Sequence, residues 1–300
     1  LLRPELQHLC GQPVEKRLNC PSFWAQTRDM AASISASTLV SASARWCVAP
    51  VPKVASTVLK RLAVLADGRE PTSTTAFGET KPALAIHRAD VHGLPCLVDL
   101  SQEQQEHWLA DPHALRLVVT RHPAERLLSF WHDKLHLADP AYAPLNASIQ
   151  TARQRSGAEP CRLADFLSFL EEHWELLKSD GHLRPQSQWR GDAPHFQRLD
   201  RDELVKRLPR LLQPLVPAAT LGRIKEELAV YDKQYRQRLG KRWEDAYSKD
   251  GLQLVESLYG DDLKLYGYSM PWRRSDKVRP LAAIDIDALV DPLQQLRERH

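Results

Sequence analysis

Apolar and polar positions along the chain change period several times before residue 140. Trp46–Val51 (WCVAPV) is a short apolar run of the kind a buried strand needs, and Pro52 closes it. From Lys53 to Leu65 the apolar residues Val54, Val58, Leu62 and Leu65 recur at helical spacing, and Asp67–Gly68 stops the pattern. A polar loop follows to about Thr80. Leu94–Leu100 (LPCLVDL) predicts a second short strand and Leu115–Thr120 (LRLVVT) a third. Pro123 then sits in the first-turn position that proline favours, opening a helix over Ala124–Leu137. Leu127, Leu128, Trp131 and Leu135 share a broad face of that helix, so Trp131 reads as core.

Asp139–Gly157 reads as a Pro- and Ser-containing loop. Helical periodicity dominates afterwards, over Leu163–Lys178, Arg201–Leu212, Ala218–Leu239 and Gly251–Leu265, with a last helix near Ile286–Arg299. Buried strands alternating with helices, then helices alone, predict a three-layer α/β domain with a central parallel sheet and a helix-rich C-terminal half. The Ser/Ala tract Ala31–Ala44 reads as a loosely packed extension or helix leading to the core. The boundaries drawn are an N-terminal extension 1–44, a domain 45–270 and a C-terminal helical extension 271–300.

Composition narrows the chemistry. Twelve glycines in 300 residues fall below the roughly 7% of average chains, which argues against a Gly-rich nucleotide fingerprint. A net charge of +3 is too small to bind nucleic acid by bulk charge, though it leaves room for a basic site taking one anionic ligand. Five cysteines without a Cys-x-x-Cys pair argue against zinc. No apolar run approaches the roughly 20 residues of a membrane span, so no membrane anchor is present in this chain. Because Leu1 stands first rather than Met, an upstream segment could precede it.

Two strand-to-helix turns carry candidate chemistry. In VPKVASTVLK, Lys53 lies at the turn, and Ser56 and Thr57 fall in the first helical turn. A helix start presents unpaired N–H groups and partial positive charge, an anion site in itself. The arrangement resembles a P-loop with its glycines replaced by Val54 and Ala55, although the Walker spacing is absent. Taken alone, such a lysine and hydroxyl pair is more often plain capping. The second turn, RHPAERLLS, raises the odds. Arg121 stands at the C-terminal edge of a strand, where open α/β sheets bind ligands, and Ser129 lies two helical turns on. The pair could clamp a second phosphate, arginine giving bidentate contacts.

VPKVASTVLKRL resembles the 5′-phosphosulfate loop of the family 2 carbohydrate sulfotransferases, the group related to chondroitin 4-O- and HNK-1 sulfotransferases. VVTRHPAERLLSFWHDKL resembles their 3′-phosphate motif, HLRPQ their His-x-x-Pro region, and LYGDDLKLYGY their Tyr-x-x-Asp…Gly-Tyr segment. The resemblance implies a P-loop-like fold and 3′-phosphoadenosine 5′-phosphosulfate (PAPS) as co-substrate, with 3′-phosphoadenosine 5′-phosphate (PAP) as product. It also implies an oligo- or polysaccharide acceptor and transfer without metal. By resemblance, Lys53 would offset charge on the leaving phosphate oxygen. Pro52, Lys53, Val54, Ala55, Ser56 and Thr57 would cradle the phosphosulfate, while Arg121 and Ser129 would bind the 3′-phosphate.

For the base that takes the acceptor proton, two histidines compete. His182 in GHLRPQ matches the family's His-x-x-Pro pattern and sits in a loop. His173 in EEHWELL has the adjoining tryptophan that members often show but falls mid-helix, so His182 is favoured. Tyr259 and Asp262 read as fixing a helix against the core. Lys134 matches a lysine of the family but reads as pairing with neighbouring carboxylates on an exposed face. Lys60 and Arg61 read as a solvated face, and Asp285–Asp287 as a helix cap. The stretch after the His–Pro region lacks the Cys-x-x-Cys that vertebrate members carry. That fits a bacterial-type cytoplasmic enzyme, with the Golgi lumen as the alternative and Asn146–Ser148 (NAS) as a possible glycosylation sequon. Two other classes stay open: a nucleotide-dependent kinase of P-loop type, which would need a magnesium carboxylate such as Asp99, and a non-catalytic protein retaining the fold.

Overall fold

The structure, a computed structural model, describes residues 38–71, 86–154, 160–189, 196–238 and 243–271, without side chains at 234–238. The Asp285–Asp287 pair and the predicted helix near Ile286–Arg299 lie outside these residues. The chain forms two compact units. One comprises Ala32–Arg121 and Gln186–Lys241 and holds the sheet; the other comprises His122–Pro185 with the chain from Arg242 onward.

The sheet unit is α/β, as the pattern predicts. Four strands, β1 (Leu39–Ser41), β2 (Trp46–Ala49), β3 (Leu115–Thr120) and β4 (Gln197–Asp200), lie in the order β1-β2-β3-β4. β1 runs antiparallel to β2, whereas β2, β3 and β4 are parallel. Register follows burial. Trp46 and Val48 enter the large core with Leu59 and Leu62 of the helix Ser56–Ala66 and Ile224 of the helix Ala218–Arg238, while Cys47 points to the opposite face with Val40 and Leu97. Strand residues alternate faces, so helices cover both sides and the unit is three-layered. Cys47 is a buried free thiol, and burial pushes its pKa up to about 12.

Two expectations are corrected here, and one strand was not foreseen. Part of the Ser/Ala tract read as loosely packed supplies β1, whose three residues are all buried. The Leu94–Leu100 run forms a 3₁₀ turn, Leu97–Asp99, and touches the sheet through a single bridge, Leu39 to Cys96. Asp99 curls the chain by accepting the Cys96 N–H at 2.7 Å, and Leu97 covers the sheet instead of extending it. β4 escapes the pattern because Gln197 and Arg198 are exposed and Leu199 alone is buried.

The helical unit packs Phe130, Phe166, Phe169, Tyr247 and Tyr259 into a second core. Its first helix, Pro123–Phe130, widens into a π-helical turn over Trp131–His136. Trp131 is buried, as expected, and donates to Cys161 O at 2.9 Å. The predicted loop after Asp139 contains a 3₁₀ turn, Pro140–Tyr142, and a helix, Ala143–Ala152. Its Leu145 and Ile149, four apart, enter the core. The NAS triplet falls on this helix, with Ser148 only 1% exposed. The last helical stretch divides into Lys249–Leu258 and Gly260–Tyr266.

One buried histidine ties the sheet unit to pH. His92 is 3% exposed and accepts the Leu94 N–H at 3.1 Å through Nδ1. Burial, then the charges of Lys60 and Arg69, hold its pKa down to about 4. Above about pH 6.5 the ring is neutral folded or unfolded. As pH falls from there toward 4, only the unfolded chain takes the proton, so stability is lost. Urea midpoints measured at several pH values should fall over that window, and His92→Asn, whose Oδ1 can accept the same N–H, should flatten the slope.

Candidate functional site

The parallel pairing of β2 with β3 aligns Ala49 with Val118, so both strands end on the same edge of the sheet. The chain leaves β2 through Val51–Ala55 and leaves β3 at Arg121. This is the edge at which α/β sheets hold ligands. The backbone of the first turn is unusual: Lys53 has φ 64° and Ala55 φ 59°, left-handed values at two non-glycine residues. Such positions cost roughly 1–2 kcal/mol each and persist only where the surroundings impose them.

What imposes them is visible at Lys53. The Arg121 guanidinium, on a residue only 3% exposed, donates through Nη1 to the Lys53 carbonyl at 2.9 Å. Arg121 is itself held at both backbone groups. Its N–H donates to Gln186 Oε1 at 3.0 Å, and Gln186 Nε2 donates to its carbonyl at 2.7 Å. Gln186 is fully buried. Sequence reasoning passed over this residue, though it closes the HLRPQ stretch.

The helix after the turn, Ser56–Ala66, begins without a polar cap. Ala55 is its N-cap, no side chain caps it, and its first turn carries no acid. Elsewhere His122, Ser101 and Ser248 cap their own helices. The first N–H groups of Ser56–Ala66 therefore present partial positive charge beside a half-buried Lys53 with no carboxylate in the turn to cancel it. Ser56 and Thr57 are half-buried there, Pro52 and Val54 buried. The Thr57 hydroxyl lies 2.9 Å from Nε2 of His87, an exposed residue that no sequence signal marked. Lys60 is half-buried rather than solvated, and its pKa is lowered by burial. Arg61 is committed to Glu227 by two bonds, 2.9 and 2.6 Å, because the helix Ala218–Arg238 packs along this one.

The helical unit positions the histidine candidates. Ser129 is half-buried, near the end of Pro123–Phe130. His182 stands in the turn 180–185, which is clamped from several directions. Arg126 donates to Arg184 O at 2.8 Å and Gly181 O at 3.2 Å, and the Tyr259 hydroxyl donates to Leu183 O at 2.7 Å. Tyr259 is thus structural, as its place in the sequence suggests, but what it fixes is the histidine turn. The His182 side chain, 19% exposed, has Nδ1 2.8 Å from the Tyr142 hydroxyl and 3.6 Å from Asp180 Oδ1. His173 is at a break between Leu163–Glu172 and Trp174–Leu177 rather than mid-helix, with its ring packed on Phe169 at 4.3 Å. Lys134 pairs with a neighbouring carboxylate as expected, Asp139 at 2.7 Å, but it is largely buried and lies over the Tyr142 ring at 5.6 Å.

Relief of the left-handed strain gives a stability test. Ala55→Gly should raise the unfolding free energy by about 0.5–1 kcal/mol, the αL relief exceeding the entropy that glycine adds to the unfolded chain. Equilibrium urea unfolding measures it, and a loss of stability would show that the φ value is not what limits this position.

Among the described residues no group of three or more His, Cys, Asp or Glu side chains is arranged to hold a metal ion, and no helix is long and apolar enough to cross a membrane. No curated protein and no solved structure matches the chain. A family model does, over residues 38–269, from the residue before β1 to the one beyond Tyr268. That span takes in both strand-edge turns and the clamped histidine turn, and the chain belongs to the sulfotransferase family.

Proposed function

We propose that the chain transfers a sulfuryl group from PAPS to a hydroxyl of a carbohydrate acceptor. The observation that carries this reading is the bond from Arg121 to the Lys53 carbonyl, which joins the two motifs of the donor site at one sheet edge. The turn suits a phosphosulfate: two left-handed residues curl the backbone, and the helix behind it begins with no side-chain cap and no acid in its first turn. Bound there, PAPS would supply an activated sulfuryl group on a phosphate leaving group.

In this reading Lys53 stabilises charge growing on the leaving phosphate oxygen as the bond from sulfur to that oxygen breaks. Ser56, Thr57 and the first-turn N–H groups hold the remaining oxygens, with Pro52, Val54 and Ala55 shaping the loop. Arg121 and Ser129 take the 3′-phosphate. Arg121 then serves twice, bracing the loop and binding the ligand. His182 accepts the proton of the acceptor hydroxyl as its oxygen bonds to sulfur. Transfer of this kind is positioning and charge stabilisation, which lysine and backbone dipoles provide. An oligo- or polysaccharide remains the proposed acceptor, by resemblance to the carbohydrate branch of the family.

Calorimetry with PAP in metal-free buffer tests the donor half. Wild type should bind, and Lys53→Ala and Arg121→Lys should each weaken binding at least tenfold; unchanged affinity in both would remove this site. His182→Ala should leave PAP affinity intact and lower transfer from PAPS to unsulfated chondroitin by about 10². Magnesium-dependent ATP consumption with no PAP binding would favour the kinase class instead.

A further inference from the structure

We infer that Tyr142 and Asp180 are positioning residues that hold the His182 ring with its proton on Nδ1 and its lone pair on Nε2, making Nε2 the proton-accepting atom. The inference rests on the reading of His182 as base and adds the groups that prepare it.

The protons available to the three groups fix the tautomer. The Tyr142 hydroxyl has one, and it lies 3.0 Å from Asp180 Oδ2 and 2.8 Å from His182 Nδ1. Asp180 is 2% exposed. Burial alone would raise its pKa, but its bonds with His182 and Tyr142 and the His182 charge outweigh that and hold it below the usual carboxylate range. An ionised carboxylate only accepts, so the phenol proton points to Asp180. The phenol oxygen is then an acceptor toward Nδ1, which must carry hydrogen. In a neutral imidazole that leaves the lone pair on Nε2.

The surroundings keep this order. Burial, followed by the negative charge of Asp180, Asp139 and Asp133, pushes the phenol pKa upward, so Tyr142 stays protonated. Lys134 over the phenol ring is neutralised by Asp139 at 2.7 Å, with Asp133 at 3.8 Å. Phe130 meets the Tyr142 ring edge-on at 5.2 Å and lies 6.0 Å from the His182 ring, adding no charge. The second oxygen of Asp180 accepts the His182 backbone N–H at 2.7 Å and sits 3.6 Å from Nδ1. A proton arriving on Nε2 therefore makes an imidazolium beside a fixed carboxylate, with no ring rotation.

Nitrogen NMR on protein labelled with ¹⁵N-histidine tests this without any turnover, the His182 signals being identified by their loss in His182→Ala. In wild type above the titration midpoint, Nδ1 should show the protonated pyrrole-type shift and Nε2 the unprotonated imine-type shift. Tyr142→Phe should move both toward a mixture of tautomers. Asp180→Asn should lower the His182 titration midpoint, because the imidazolium loses its counter-charge. A wild-type ring protonated on Nε2, or an unchanged tautomer in Tyr142→Phe with an unchanged midpoint in Asp180→Asn, overturns the inference. Should Asp180→Asn fail to fold, Tyr142→Phe decides alone. Failure of the base reading shows separately, as wild-type transfer by His182→Ala.

Discussion

The candidate donor site depends on a backbone shape that its sequence does not favour. Lys53 and Ala55 carry side chains that resist the left-handed region, and the chain adopts it at both. The Arg121 guanidinium on the Lys53 carbonyl is the visible counterweight. A glycine-rich loop is flexible and must be ordered by its ligand. This turn is held by a buried arginine before any ligand arrives, so less ordering remains to be done on binding.

The same logic operates one residue at a time behind Arg121. Parallel strands bring the ends of β2 and β3 to one edge, but a strand end alone does not orient a side chain. Gln186 does so by satisfying the Arg121 N–H and C=O together. Losing that amide would take a hydrogen bond from each of two backbone groups, each bond worth about 0.5–1.5 kcal/mol. In the helical unit the histidine turn is treated alike, with Arg126 and Tyr259 occupying carbonyls at positions 181, 183 and 184. Both candidate regions are short turns whose carbonyls are pinned by side chains from elsewhere in the chain. That is how irregular backbone becomes rigid enough to place a reactive group.

Much of this was legible in the residues. The strands at Trp46 and Leu115, the helices that follow them and the two strand-to-helix turns that carry Lys53 and Arg121 all come from local pattern and from motif. Lys60 and Arg61 do not form the solvated face their spacing suggested, because helical spacing does not reveal which neighbour a polar face will meet. Arg61 found Glu227, and Lys134 found Asp139 and Tyr142. Tyr142 was hidden in a segment whose proline and serine read as loop.

By itself the sequence determined the α/β class, the positions of the two strand-to-helix turns and the residue types able to hold an anion there. Those properties are written in periodicities of a few residues and in local capping chemistry. The tertiary structure alone decided that β4 joins the sheet and that Arg121 braces Lys53, 68 residues away. It alone also decided that Tyr142 and Asp180, 38 residues apart, meet around His182. Contacts of that separation arise only when packing closes the intervening chain, and no local pattern records which buried polar groups will then find one another.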